Sequence, residues 1–324
     1  MKENLEVIFW GVRGSYPAPG KDTLRYGGNT SCIEIRAGEE SIIFDAGTGI
    51  IALGREIAKR AAQHGKAMKV SLFLSHLHHD HIQGFPFFVP AFIPSADIRI
   101  FGPASSDEVL VQVLENNQSP HIFPVSLNEM AATKTIRAIR EREQVVVMAE
   151  DAEIREAGSR VSEDAALIRV HHSYAHPGGV NIYKLEWHGK SIIYATDTEG
   201  YEGIDRRLGT FAHGADLLIH DAQYTQEHYL GNRPGASSTQ GYGHSTIEMA
   251  CEMAKEAGVG KLVLFHHDPG YNDESIAKNE VHAQRIFNNT FAAREGMHLL
   301  LRDDQKEGAW QFEKERADSI VERM

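Results

Sequence analysis

Imidazole and carboxylate side chains are concentrated in residues 76–81 of this chain, which read His-Leu-His-His-Asp-His. This run follows an apolar, strand-like segment, Val70–Leu74. On a loop after a buried strand, residues 76 and 78 can point one way and residues 80 and 81 another, an arrangement that suits two adjacent cations. Imidazole together with carboxylate favours zinc, manganese or iron over calcium. The run therefore predicts a dinuclear metal site in preference to a solvated polar loop.

The pattern HxHxDH resembles the signature of the metallo-β-lactamase superfamily, and later segments resemble its ribonuclease Z and cyclic phosphodiesterase branch. The resemblance covers roughly residues 5–300. It implies an α/β fold, the αββα sandwich of two mixed sheets flanked by helices, with two divalent metal ions bound at one edge. It places His76 and His78 on one metal and Asp80 and His81 on the other. Zinc is the favoured metal, with manganese or iron as alternatives.

Further ligands are implied by two motifs downstream. His176 lies seven residues before Tyr183 of a predicted strand, which is similar to the third ligand motif of the family. His171 and His172 compete with it for this position. The segment Thr196-Asp197-Thr198 matches a strand-end motif whose aspartate bridges both metals, and a carboxylate suits that role because each oxygen can bind one cation.

The last ligand lies in a pair of adjacent histidines. The family pattern is an apolar strand, then His, with an aromatic residue five positions on, and His266 fits it because Tyr271 follows at that distance. His267 is the alternative, and both stay open at this point. The expected metal ligands are His76, His78, Asp80, His81, His176, Asp197 and His266, with Asp80 also counted among the catalytic residues.

Two other segments resemble ribonuclease Z. In Leu217–Ala222 an acidic residue, Asp221, follows a histidine at a strand end, and His244 begins a His-Ser-Thr motif at a predicted helix start. In that family the acid orients the histidine, which acts near the scissile phosphate. The resemblance thus adds Asp221 and His244 as catalytic residues, with Asp where the family typically has Glu. A helix-start polar residue is the alternative interpretation of His244.

Two metals held in this way would share a bridging water that becomes hydroxide, which predicts a hydrolase. We expect a phosphodiesterase that acts on a small cyclic or diester phosphate. The alternatives within enzymes are a ribonuclease Z-like RNA endonuclease and a thioesterase, lactonase or β-lactamase of the same fold. A metal-bound sensor or RNA-binding protein without turnover is the non-enzyme alternative. The flavodiiron oxidoreductases of the superfamily have Glu at the position of His78, so this chain does not match them.

Charge and insert composition bear on the partners. The formal net charge is -12, and a uniformly acidic surface repels a polyphosphate backbone. The insert after Ile100–Pro103 lacks the Gly-rich basic arm with which ribonuclease Z grips transfer RNA. We therefore expect a small phosphate ester as substrate and long nucleic acid as an unlikely partner. We expect no membrane partner and allow for a homodimer.

Composition predicts one folded domain over residues 1–324, since 42% of residues are hydrophobic and no Pro-, Gly- or Ser-rich linker divides the chain. Cys32 and Cys251 lie far apart in apolar runs, which predicts two buried, reduced thiols. The charged N-terminus has no apolar signal region, and no run approaches the ~18 apolar residues of a membrane span. These features predict a cytoplasmic protein.

Arg13, in a Gly-Val-Arg-Gly-Ser segment, is expected either to meet a phosphate or to form a structural salt bridge.

Periodicity predicts the elements that must position these residues. The charged stretch Arg137–Glu143 is interpreted as a solvated helix or a hairpin arm. Strands are predicted at residues 5–10, 31–37, 41–46, 69–74, 97–101, 166–171, 180–187, 191–195, 216–220 and 261–265. Helices are predicted at residues 50–64, 105–116 and 246–257, with one of about twenty residues starting at Glu274.

Overall fold

The structure is a computed structural model that describes residues 5–38, 40–65, 67–148, 151–200, 203–232 and 237–301, and the backbone of 311–312. Two eight-stranded sheets contain its strands. The first sheet consists of β1 (Leu5–Gly11), β2 (Cys32–Ala37), β3 (Glu40–Phe44), β4 (Lys69–Phe73), β5 (Asp97–Gly102), β6 (Thr133–Ala138), β15 (His298–Leu301) and β16 (Gln311–Phe312). The second consists of β7 (Glu143–Met148), β8 (Asp151–Glu156), β9 (Ala166–Ser173), β10 (Val180–Trp187), β11 (Lys190–Ala195), β12 (Leu217–Asp221), β13 (Leu262–Phe265) and β14 (Thr290–Ala292).

Both sheets are mixed. The first has the strand order β16-β15-β1-β2-β3-β4-β5-β6, antiparallel from β16 to β3 and parallel from β3 to β6. The second has the order β14-β13-β12-β11-β10-β9-β7-β8, parallel from β14 to β11 and antiparallel beyond. Each sheet therefore has one parallel half, in which successive strands end at the same edge.

The main core lies between the two sheets. In β12, Leu217 and Ile219 face this core, whereas Leu218 faces the opposite way, as the two-residue period of a strand requires. Phe44 of the first sheet stacks on Tyr183 and Tyr194 of the second, with ring centroids 5.4 and 5.2 Å apart. These offset aromatic contacts fix the spacing of the sheets beside the edge where β3 ends.

Helices cover the outer face of each sheet. They are α1 (Gly49–His64), α2 (His79–Ile82), α3 (Asp107–Asn117), α4 (Arg206–Ala212), α5 (Gln226–Tyr229), α6 (Ile247–Glu256) and α7 (Asp273–Ile286). Helices α1 and α3 pack on the first sheet, while α4, α6 and α7 pack on the second. Because strands between a core and a helix layer are buried on both faces, they read as continuous apolar runs. The predicted αββα architecture is confirmed.

Two local predictions are wrong. Arg137–Glu143 is neither a helix nor a hairpin arm, because it comprises the end of β6, a turn, and the first residue of β7. The helix starting near Glu274 has only 14 residues and ends where Phe287 takes an extended conformation. There the chain turns to form β14, which pairs with β13, so sheet pairing overrides the helical pattern.

Cys32 and Cys251 are free and buried, as predicted. Within the described ranges, every helix is too short or too polar to cross a bilayer.

Candidate metal centre and its catalytic pair

The predicted metal ligands come from strand ends that meet at one edge of the sandwich. The run after β4 supplies four of them, and Asp197 and His266 follow directly after β11 and β13. His176 lies in the loop between β9 and β10. Parallel strands deliver their carboxyl ends to a common edge, which is where ligands bind in open α/β sheets. Sheet topology thus gathers residues that are up to 190 positions apart, counting from 76 to 266.

Of four overlapping groups of donor atoms in the described residues, two together contain six of the seven predicted ligands. His76, His78 and His176 make the first, in which His176 Nε2 lies 2.9 Å from His78 Nδ1. Asp80, His81 and His266 make the second. In that group His81 Nε2 and His266 Nε2 lie 3.3 and 3.2 Å from Asp80 Oδ2, and 3.2 Å from each other. Within each group, the ligand atoms all lie within 4.8 Å of one another.

Asp197 lies between the two groups, with one carboxylate oxygen facing each. Its Oδ1 is 3.6 Å from His76 Nε2 and 3.9 Å from His176 Nε2. Its Oδ2 is 3.2 Å from His81 Nε2 and 3.3 Å from His266 Nε2. This division of the two oxygens is the geometry required of a carboxylate shared by two cations.

The spacing and chemistry of these donors fit transition-metal ions. Tetrahedral ligands about 2.0–2.1 Å from a zinc ion lie about 3.3 Å from one another, close to several of the separations here. His76 Nε2 is buried and has no hydrogen-bond partner among the described residues. A buried nitrogen without a partner is costly unless another group binds it, so a cation accounts for its orientation.

The second nitrogen of each buried ligand histidine is held by the protein. His81 Nδ1 donates to Asp45 Oδ2 at 2.7 Å, and His176 Nδ1 donates to the carbonyl oxygen of Gly243 at 3.1 Å. His266 Nδ1 donates to Gln223 Oε1 at 2.9 Å. Such bonds fix the tautomer, so that the lone pair of Nε2 points to the metal position.

Asp45 accepts four hydrogen bonds in this second layer of contacts. Its two oxygens accept bonds from the Ser75 amide and hydroxyl (2.7 and 2.8 Å), from His81 Nδ1, and from the Tyr194 hydroxyl (2.7 Å). Ser75 Oγ in turn lies 3.1 Å from His76 Nδ1. One buried carboxylate therefore orients a ligand in each metal group, directly for His81 and through Ser75 for His76.

Backbone strain is concentrated at this edge. Five non-glycine residues of the described chain have positive φ, and Ser15, Asp45, Asp197 and His266 are four of them, at +61°, +63°, +50° and +61°. This conformation costs free energy in most residues and is retained where the surrounding structure enforces it. The strand ends are thus held so that their side chains point into the site.

The surroundings set the protonation of the donors. Burial lowers the pKa of His76 well below its usual range, so the ring is neutral as a ligand must be. Burial alone would raise the pKa of Asp197, but the neighbouring His266, His81 and His76 outweigh it and hold that pKa well below its usual range. The site therefore holds an ionised carboxylate among imidazoles.

Asp221 and His244 form a buried hydrogen-bonded pair beside the metal groups. His244 Nδ1 lies 2.7 Å from Asp221 Oδ2, while Asp221 Oδ1 accepts from the amides of Gln223 and Ser245. Burial alone would lower the pKa of His244, but the Asp221 carboxylate raises it to about 9. The His244 ring stacks on His266 at 5.0 Å between centroids, so the structure brings the expected catalytic pair next to the expected ligands.

The competing histidines lie elsewhere. His171 Nδ1 bonds to Glu141 at 2.9 Å, and His172 Nδ1 bonds to Asn181 Oδ1 at 2.8 Å. His267 is buried with its Nε2 bonded to the carbonyl oxygen of Ala293, and burial lowers its pKa to about 3. Three histidines competed for one ligand position and two for the other. Of these five, only His176 and His266 belong to a donor group among the described residues, so the geometry favours them.

Arg13 occupies a buried, structural position. Its guanidinium is buried and donates to the carbonyl oxygens of Gly27, Asp268 and Tyr271 at 2.6–3.1 Å. It therefore ties the N-terminal loop to the loop that follows β13. The adjacent Gly14 must be glycine, because a Cβ there would lie 2.5 Å from the His266 ring.

The site includes three residues that are not among those predicted from the sequence: Asp45, Gln223 and Glu199. Glu199 is buried and accepts bonds from the amides of Gly241 and Gly243, both at 2.8 Å, which fixes the carbonyl that holds His176. A signal existed for Asp45, which lies near the end of the predicted strand 41–46, and for Glu199, which lies four residues after the predicted strand 191–195. Gln223 follows Asp221 closely, but nothing in its position indicates a contact with His266.

The chain is similar to known proteins. A family described as the beta-lactamase superfamily domain matches residues 40–267. Curated relatives include ribonuclease Z of Thermoplasma acidophilum, 26% identical over 93% of this chain and 98% of that protein. Ribonuclease Z of Picrophilus torridus is 27% identical over 91% of this chain and 95% of that protein.

Solved structures show the same fold. The metallo-beta-lactamase fold protein YhfI of Bacillus subtilis superposes with a TM-score of 0.63 at 19% identity, covering 92% of this chain and all of that one. The short form of human tRNase Z gives a TM-score of 0.54 at 19% identity, covering 90% of this chain and 98% of that one.

The expectation that long nucleic acid is an unlikely partner is wrong. Curated relatives that span nearly the whole chain are named ribonuclease Z, an enzyme of RNA. The net charge does not predict RNA binding here, because it sums charges over the whole surface. Dications bound at the site would reverse the electrostatic field there.

Replacing Asp197 should weaken both metal positions. We expect the wild-type protein to carry up to two transition-metal ions per chain and Asp197→Ala to lose affinity at both, because each carboxylate oxygen faces one group. Elemental analysis of dialysed protein measures this. Asp197→Asn, which tolerates the positive φ, checks that the loss is not misfolding. His172→Ala is the matched control outside the groups, and full occupancy in Asp197→Ala would remove Asp197 from the bridging role.

Replacing Asp45 should weaken metal binding without removing a ligand. We expect Asp45→Asn to lower metal affinity about 10- to 100-fold, because His81 loses its charged orienting partner. Competition with a chromophoric chelator measures the affinity. Asp216→Asn is the control, since Asp216 also accepts a backbone amide, from Ser191, but outside the donor groups. Equal affinities in the two variants would reduce Asp45 to a purely structural role.

Proposed function

Because this chain belongs to the beta-lactamase superfamily, we propose that it is a dinuclear-metal phosphodiesterase whose substrate is RNA. The observation that carries the proposal is the division of Asp197, whose two oxygens face two separate groups of donors. Beside it lies a carboxylate–imidazole pair that a hydrolase of a phosphodiester can use. Ligand set, positioning contacts and this pair together support one hydrolytic centre.

Seven residues would hold the metal ions. His76, His78 and His176 fit one ion and Asp80, His81 and His266 the other, with Asp197 shared. When bound, two such cations activate a water molecule and neutralise charge on the phosphoryl oxygens. The protein contributes the fixed positions of the donors, and Asp80 is held further by the Ser15 amide, which donates to its Oδ2 at 2.7 Å.

His244 supplies what two cations on one side of a phosphodiester do not. Cleavage expels an alkoxide, which is a poor leaving group unless it is protonated as the bond breaks. His244 is almost buried, and Asp221 occupies its Nδ1 and favours the charged imidazolium. The proton on Nε2 is then the one available to the leaving oxygen. Asp221 does for His244 what the aspartate of a catalytic triad does for its histidine.

The relatives favour RNA over a small ester. Proteins named ribonuclease Z match 85–93% of this chain at 24–28% identity, which supports the RNA endonuclease alternative above the small cyclic or diester phosphate expected first. The phosphodiester chemistry is common to both. A thioesterase has less use for the Asp221–His244 pair, because a thiolate leaves without protonation. A lactone expels an alkoxide, so lactonase activity is separated from phosphodiester cleavage by the substrate test below.

The proposed activity can be tested on a transfer RNA precursor. We expect the purified protein, supplied with Zn²⁺ or Mn²⁺, to cut such a precursor at one position, because the site fits a phosphodiester between two cations and a general acid. Gel analysis of end-labelled RNA measures the cleavage. Asp197→Ala, purified in parallel, controls for contaminating ribonuclease.

Four other substrates serve as comparisons in that test: a 2′,3′-cyclic nucleotide, a 3′,5′-cyclic nucleotide, a thioester and a lactone. If the protein turned over a cyclic nucleotide but left the RNA uncut, the substrate would be a small diester and not RNA. Turnover of the thioester or lactone alone would reject phosphodiester chemistry.

Removing His244 should slow the chemical step and leave the metals in place. We expect His244→Ala to lower kcat on an alkyl phosphodiester by about 10²- to 10⁴-fold, the usual contribution of a positioned general acid. Asp221→Ala should lower it less, and the double variant should be no worse than His244→Ala, since the aspartate then has nothing to orient. Steady-state kinetics with elemental analysis of each variant measure this.

A substrate with a good leaving group separates the roles further. Bis(p-nitrophenyl) phosphate needs little protonation, so its turnover should fall much less in His244→Ala. Near-normal turnover of the alkyl diester, or loss of a metal ion in that variant, would show that His244 is structural or a ligand.

A further inference from the structure

Three exposed tyrosines lie close in the chain to residues of the metal centre. The described residues include nine of the ten tyrosines, and six of these are buried. The other three, Tyr16, Tyr174 and Tyr242, are 58%, 82% and 57% exposed. A single exposed aromatic residue is ordinary, but apolar rings grouped around a cleft indicate a binding surface.

Each exposed tyrosine is adjacent in the chain to a residue of the site. Tyr16 follows Ser15, whose amide donates to Asp80. Tyr174 lies two residues before His176, and Tyr242 lies two residues before His244. Two residues of extended chain span about 7 Å, so the three backbones border the metal centre.

The loop that carries Tyr242 is fixed on both sides of the ring. The buried Glu199 carboxylate accepts from the Gly241 amide on one side and the Gly243 amide on the other, both at 2.8 Å. Both glycines have positive φ, +83° and +88°. The backbone thus holds Tyr242 outward without a side-chain contact that buries it.

The loop that carries Tyr16 is fixed in a similar way. Ser15 has a φ of +61°, and the Gly14 amide donates to the carbonyl oxygen of His267 at 3.0 Å. The Ser15 amide is bonded to Asp80. Tyr16 is therefore presented on a strained turn whose two preceding amides are both attached to the edge of the site.

Tyr174 borders open space that leads to the metal ligands. It lines a cavity of ≈ 430 Å³ together with His176 and Gly241, the neighbour of Tyr242. On its other side it lines a second cavity of ≈ 430 Å³ with Arg140 and His172. Both volumes lie in the range of ligand sites. The Arg140 guanidinium, exposed in this second cavity, is suited to a phosphate.

We propose that Tyr16, Tyr174 and Tyr242 are stacking positions for the bases of a single-stranded RNA segment that crosses the metal centre. Every base has a π-face, so stacking on aromatic rings suits a strand of varied sequence. Unpaired bases are also the part of RNA that proteins most often contact through aromatic residues. The inference rests on the proposed function and adds the residues that would position the nucleotides on both sides of the scissile phosphate.

Binding of two matched strands tests the inference. The probe is a short single-stranded RNA with phosphorothioate linkages, which resist hydrolysis, and the comparison strand has the same length and charge but no bases. We expect Tyr174→Ala and Tyr242→Ala each to raise the Kd for the base-bearing strand about 10-fold. Neither should change the Kd for the abasic strand. Fluorescence anisotropy measures both, and Tyr16→Ala is expected to act in the same direction.

Tyr174→Phe is the matched control, because it keeps the ring and removes only the hydroxyl, so stacking predicts wild-type binding. Val281→Ala, on the exposed surface of α7, controls for loss of exposed apolar area. The inference is overturned if the alanine variants bind both strands as wild type does, or weaken both strands equally. It is also overturned if Tyr174→Phe is as weak as Tyr174→Ala.

Cleavage of the transfer RNA precursor, measured separately, distinguishes this inference from the proposed function. If the wild-type protein cuts RNA but the tyrosine variants bind normally, the function stands and the stacking positions do not. If it binds base-bearing strands through the tyrosines but cuts no RNA, the stacking positions stand and the ribonuclease assignment fails. A protein that neither binds nor cuts single-stranded RNA overturns both.

Discussion

Burial of the Asp197 carboxylate among imidazoles is the constraint on which the rest of the structure depends. A carboxylate removed from water is costly unless opposite charge or hydrogen bonds compensate. Here His81 and His266 lie 3.2 and 3.3 Å from Oδ2, which also accepts a hydrogen bond from the Thr196 hydroxyl. His76 and His176 lie 3.6 and 3.9 Å from Oδ1. These separations leave room for cations between the imidazole nitrogens and the carboxylate oxygens.

This arrangement requires a rigid frame, since donor atoms must stay within fractions of an ångström of their positions. Four of the donors follow β4. Asp197 and His266, whose backbone has positive φ, follow β11 and β13. A second layer then orients the rings. Asp45 serves both metal groups at once, which links the two halves of the centre through a residue that would touch neither ion.

The Asp221–His244 pair lies against the same donors. His244 Nδ1 bonds to Asp221, and the His244 ring stacks on His266. Three exposed tyrosines lie within two residues of Ser15, His176 and His244. The RNA hydrolase that we propose would use the cations for attack, the acid for the leaving oxygen and the tyrosines for the flanking nucleotides. The net charge of -12 does not describe this local surface, because field strength near a cleft depends on the groups that line it.

Local patterns in the sequence predicted the fold class, most strand positions and the donor run at residues 76–81, because buried strands read as apolar runs and this donor-rich loop follows one of them. Resemblance to a family, not a local pattern, added His176, Asp197 and His266 as expected ligands. The sequence could not choose between His266 and His267, which are adjacent. Only the tertiary structure separated them, by turning His266 toward Asp80 and His267 toward a backbone carbonyl. The role of Asp45 and the short α7 were likewise decided by contacts between distant segments, which no local pattern encodes. Pairing across the sheets brings those segments together, and that pairing is a property of the whole chain.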